Sequence, residues 1–135
     1  MTAFEFMNKS GESGYQKFTD FAKNIYLTGT KFKDMRDDLT VFYLTHPEKT
    51  ENIEGDARFK AKTVGTLVDR MIVIEGLFTI VLYGKAKRTG KELSYFFETQ
   101  TDGQTPAKSP MGMFNDLRIP NNLELVRKAI LDYNE

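Results

Sequence analysis

Apolar residues recur at helical spacing near both ends of the chain, and between them they form strand-length runs. After a short apolar start and a polar, glycine-containing stretch at 8–14, Tyr15, Phe18, Ala22 and Ile25 repeat every three or four residues as far as Gly29. This spacing predicts an amphipathic helix over 15–28, with glycine as its C-terminal stop. Leu39, Thr40, Val41, Phe42, Tyr43 and Leu44 form an apolar, β-branched and aromatic run without alternation. Such a run suits a strand covered on both faces and is expected to be a central parallel strand. It should end at Thr45, His46 and Pro47, because proline has no N–H for the ladder.

Residues 48–62 turn polar and charged around Gly55 and read as a mobile loop, and 63–70 read as a short helix burying Val64, Leu67 and Val68. The run MIVIEGLFTIVLY at 71–83 is interrupted by Glu75 and Gly76, so it predicts two strands or one bulged strand. GKAKRTGKE at 84–92 reads as a hairpin turn leading into a strand at 93–99, an antiparallel edge on a mixed sheet. Pro120, Asn121 and Asn122 precede Leu123, Val126, Ile130 and Tyr133, which predicts a C-terminal amphipathic helix with asparagine as its N-cap.

A chain of 135 residues suits one domain. With 19 basic and 19 acidic residues there is no global field to draw it to a polyanion, so any nucleic-acid contact must come from a local patch. The absence of cysteine excludes disulfides and thiolate metal sites and fits a reducing compartment. No basic-then-apolar leader and no membrane-length run is present, so the expected location is cytoplasmic, without membrane contact.

Candidate chemistry centres on TQTDGQTPAKSPMGMF at 99–114, a polar loop marked by glycine and proline after a strand-like run. Lys108, Ser109 and Thr105 are candidates there for contacting an anion, set against a simple solvated loop. The glycines and lysines of 84–92 do not make a phosphate loop. Five residues separate Gly84 from Gly90, Glu92 stands where a magnesium-binding hydroxyl belongs, and strands flank both sides. As a patch, Lys85, Lys87, Arg88 and Lys91 suit a nucleic-acid backbone, or else edge protection and solubility. His46 is the only histidine, so no histidine-based metal cluster is available. At a strand's carboxyl end, Thr45 and His46 would sense a phosphate or orient a water, or merely cap the strand. Asp37 and Asp38 read as solvated charges. No nucleophile with a matching base and no metal cluster supports a small-molecule enzyme.

Taken together, DDLTVFYLTHPE at 37–48, KTVGTLVDRMIVIEGLFTIVLYGK at 62–85 and FETQTDGQTPAKSPMGMF at 97–114 resemble the C-terminal part of phage and prophage P-loop ATPases. These are the RecA-like, AAA-type ATP-binding proteins of the single-strand annealing and recombination group, and AKSPMGMF is the most specific segment. The resemblance implies an α/β fold with a mixed, mainly parallel sheet flanked by helices, and residues 1–135 as a single, partial RecA-like ATPase domain. It implies ATP and Mg2+ for the intact family, with none expected for this chain alone, since neither a Walker A nor a Walker B segment is present. The implied partners are single-stranded DNA, recombination proteins, and either further copies of the chain or a Walker-containing partner.

On the same resemblance, Thr45 and His46 take a strand-end sensor position. Lys108 becomes a charge offered to a neighbour's nucleotide, with Thr105 and Ser109 beside it. Arg58, Lys60 and Lys62 fall where such proteins place DNA-facing loops. The implied function is DNA recombination or annealing with this chain as a non-catalytic part. The rival reading is an accessory module that binds protein or DNA through the 85–91 hairpin.

Overall fold

The computed structural model of the chain describes residues 14–63, 68–69 and 72–135. These residues belong to two compact units: Met1–Thr45 with Ala61–Leu77, and His46–Lys60 with Phe78–Glu135.

In the first unit, helix α1 (Gly14–Thr30) carries the expected periodicity and buries Ala22. It runs through Gly29, and the hydroxyls of Thr28 and Thr30 donate to the carbonyls of Asn24 and Tyr26, each at 2.8 Å. A 3-10 turn, Lys31–Asp34, continues it. The Tyr43 hydroxyl donates to the Thr28 carbonyl at 2.7 Å, and its ring meets Phe32 edge-on at 6.4 Å. A second 3-10 turn, Ile74–Leu77, packs on α1, and its Glu75 carboxylate accepts the Ala61 N–H. Val64, Leu67 and Arg70 of the expected 63–70 helix, and Met71, lie outside the described residues. Val68 and Asp69 are helical, and Val68 is fully buried.

The second unit holds two sheets. Strands β1 (Pro47–Glu51) and β2 (Ala57–Ala61) pair as a hairpin where a loop was expected. Its turn is tied by Asn52, whose Oδ1 accepts the N–H groups of Glu54 (3.0 Å) and Asp56 (2.7 Å), while Gly55 takes φ +85°, a left-handed conformation that favours glycine. Strands β3 (Tyr83–Thr89), β4 (Glu92–Glu98) and β5 (Arg118–Pro120) form an antiparallel sheet in that spatial order. Thr89 pairs with Glu92 across a two-residue turn opened by Gly90 at φ +63°, so the strands run through the segment expected to be turn. The Phe59 N–H donates to the Gln104 carbonyl at 2.7 Å and its ring lies 5.6 Å from Tyr83, tying the first hairpin to the larger sheet. Helix α2 (Leu123–Asn134) begins at Asn122, whose Oδ1 accepts the N–H groups of Glu124 (2.9 Å) and Leu125 (3.4 Å). Asn122→Ala should cost about 1 kcal/mol by removing that cap, read as a lower melting temperature.

The mixed, mainly parallel RecA-like sheet expected from the sequence is not formed: both sheets are small and antiparallel. A parallel neighbour needs a crossover that lays two distant runs side by side, and the run expected to be the central strand has no regular structure. Leu39, Val41, Tyr43 and Leu44 are exposed, Leu44 by 85%. Strand-forming composition acts only where a second run supplies the ladder. Pro47 opens β1 instead of closing a strand, a position that needs no N–H donation to a preceding ladder. The run at 71–83 gives the 3-10 turn and an isolated bridge between Val81 and Lys108 in place of full strands.

Candidate nucleic-acid interface

The register of β3 and β4 sorts their side chains onto two faces, because residues directly opposite in an antiparallel pair share a face and alternate along each strand. Tyr83, Lys85, Lys87, Ser94, Phe96 and Glu98 share one face, and Arg118 of β5 joins it opposite Glu98. Gly84, Ala86, Arg88, Leu93, Tyr95 and Phe97 occupy the other.

The base of the first face is closed by ion pairs. Glu98 is only 5% exposed. One of its oxygens accepts from Lys85 Nζ at 3.0 Å and lies 3.8 Å from Arg118, while the other accepts the Thr105 hydroxyl at 3.4 Å. Lys85 also reaches Asp102 at 3.4 Å and lies 5.7 Å over the Tyr83 ring. The hydrogen bond to Glu98 raises the Lys85 pKa, and burial raises that of Tyr83. Asp102 Oδ1 accepts the N–H groups of Gln104 and Thr105 at 2.9 and 3.1 Å, and these bonds hold its carboxyl below the usual range. Lys85 is thus half-buried and committed to the base of the hairpin.

Lys87, Arg88 and Lys91 differ from it. They are exposed at the far end of the hairpin, and none of them forms an ion pair among the described residues. Tyr95, 59% exposed, lies on the same face as Arg88 and Leu93. Neither Tyr95 nor Glu98 is among the candidates that the sequence singles out. The alternation in LSYFFE was a signal for Tyr95, whereas Glu98 acquires its partners only through strand register and the returning loop.

The other sequence candidates are dispersed. In the 99–114 loop the Thr105 hydroxyl is taken by Glu98, and the Ser109 hydroxyl donates to the Thr99 carbonyl and accepts from Gln100, both at 2.9 Å. Both hydroxyls are thus already engaged, that of Thr105 by Glu98 of β4 and that of Ser109 within the loop. Lys108 exchanges two backbone hydrogen bonds with Val81, at 2.8 and 2.9 Å. Thr45 and His46 are exposed immediately before β1, not at the carboxyl end of a strand. Arg58 and Lys60 lie on β2, where the Arg58 carbonyl accepts the Thr50 hydroxyl and Lys60 pairs with Glu48 at 3.7 Å. Lys62 is exposed just beyond that strand.

Among the described residues, no three histidine or carboxylate side chains gather as a metal site, and no helix is long and apolar enough to cross a membrane. Comparison with protein families, with characterised proteins and with solved structures finds no match to this chain.

Proposed function

We propose that the chain is a non-catalytic module that binds single-stranded nucleic acid through the β3–β4 hairpin. The observation that carries this reading is the exposed tip, where Lys87, Arg88 and Lys91 have no ion-pair partners among the described residues and Tyr95 is open beside Arg88. Cations engage phosphates with little regard to sequence, and an exposed ring offers a surface on which an unpaired base stacks. Duplex stacking hides base faces, so the aromatic favours a single strand. The DNA-annealing setting of the resembled phage proteins agrees with this ligand. ATP and Mg2+ would then belong to a Walker-containing partner, and recombination proteins would be the partners of the complex.

The test is fluorescence anisotropy of labelled poly-dT across a salt series. Three phosphate contacts give a slope of log affinity against log salt of about −2. The triple variant K87E/R88E/K91E should lose measurable binding, and Tyr95→Ala should weaken it about tenfold with an unchanged slope. Binding that ignores salt, or a triple variant that binds like the parent, would refute the reading.

A further inference from the structure

The β1–β2 hairpin ends in a feature that the nucleic-acid reading leaves unused. Ile53 stands at its tip with 106% exposure, and Glu51, Glu54 and Asp56, its neighbours along the turn, are exposed as well. The turn holding it is fixed. Asn52 N–H donates to the Asp56 carbonyl, and Gly55 N–H donates to the Asn52 carbonyl, both at 3.0 Å. Asn52 Nδ2 reaches the Asp56 carboxylate at 3.3 Å. A fixed turn presents its side chain without further loss of conformational freedom on docking.

The hairpin of β3 and β4 carries the complement. Leu93 and Tyr95 make an exposed apolar step beside Arg88, and Lys91 sits in the adjoining turn. Glu92, the carboxylate at that tip, lies on the opposite face with Lys87. Within one chain neither Glu51 nor Glu54 pairs with Lys87, Arg88 or Lys91.

We propose that a second copy of the chain docks its Ile53 tip on the Leu93–Tyr95 step, with Glu51 and Glu54 meeting Arg88 and Lys91. The occupant follows from charge: an apolar plug with an acidic rim matches an apolar step with a basic rim, and both are on this chain. Two different surfaces meet, so the contact is head-to-tail and each added copy leaves one plug and one step open. The inference does not depend on nucleic-acid binding, although a polyanion would compete for the same cations.

Light scattering after size exclusion, over a concentration series, provides the test. The parent should exceed the single-chain mass at low salt and return to it at high salt. Ile53→Asp removes the plug, and R88E/Y95A removes the step, so each alone should remain a single chain. Their equimolar mixture should give a two-chain species and nothing larger, because one variant retains the step and the other the plug. Glu54→Lys, a charge change in an exposed turn, should weaken assembly at least tenfold, and circular dichroism checks the fold of every variant. A parent that stays single-chain, assembly that ignores salt, or variants that fail to complement would overturn the proposal. Nucleic-acid binding is read separately by anisotropy, so either idea can fail without the other.

Discussion

Lys85→Met is expected to destabilise the second unit by about 3 kcal/mol, toward the lower end for stripping a buried carboxylate of its counter-ion, since Lys85 itself is 31% exposed. Glu98 would keep only the Thr105 hydroxyl and a 3.8 Å approach from the more exposed Arg118. Removing both charges should recover much of the loss, because a leucine at 98 has no ion to leave unpaired. The ordering K85M below K85M/E98L in urea midpoint checks this, and equal midpoints would mean that the unpaired Glu98 carboxylate costs little. The pH dependence has a definite sign. The Lys85 pKa is raised in the folded chain, so its contribution is complete below the ordinary value of 10.5 and is lost as pH climbs through the higher folded value. The Asp102 pKa is lowered, so its contribution is present above 3.8 and is lost as pH falls through the lower folded value. K85M should therefore lose the Lys85 share of the alkaline decline in stability.

Val126→Asp should release α2 altogether. Val126 is 1% exposed and is the fully buried side chain of that helix, while Leu123, Leu125, Leu131 and Tyr133 remain substantially exposed. An unpaired carboxylate at that position costs upwards of about 4 kcal/mol, more than a short helix with one deep anchor recovers elsewhere. Val126→Ala should cost about 2 kcal/mol and keep the helix in place. Hydrogen exchange separates the cases: in the aspartate variant the amides of α2 should lose protection while those of β3 and β4 keep it. Uniform loss across the unit would show that α2 and the sheet open together.

Features fixed by short-range chemistry were legible in the sequence. Asn122 caps α2 as its side chain requires, α1 follows its three-and-four spacing, and a hairpin turn does fall within 84–92, although the strands take all but Gly90 and Lys91 of that segment. Where the reading failed, the deciding partner was distant or of another kind. The run at 39–44 has the composition of a buried strand, yet a ladder is a property of two runs, and the second is not named by the first. Pro47 suits a strand's ending by its missing N–H, yet the same lack is harmless at a strand's first position, where it stands. In 48–62 the charged residues hid a hairpin whose turn, Asn52 to Gly55, was present in the sequence. At the candidate interface the cations read as a group, but position along the hairpin separates them: Lys85 reaches Glu98 at its base, and Lys87, Arg88 and Lys91 stand at the tip.

The second unit is assembled from two separate stretches of chain, and this gives its biosynthesis an order. Phe59 emerges 45 residues before the Gln104 carbonyl that receives its N–H. At about 5–20 residues per second, the first hairpin spends about 2–9 seconds outside its final environment while the intervening segment and the second hairpin are made. During translation its closest stabilising groups are its own Asn52 turn and the Glu48–Lys60 pair. The local bonds of that turn therefore serve as a holding device for a strand pair whose partner has yet to be synthesised.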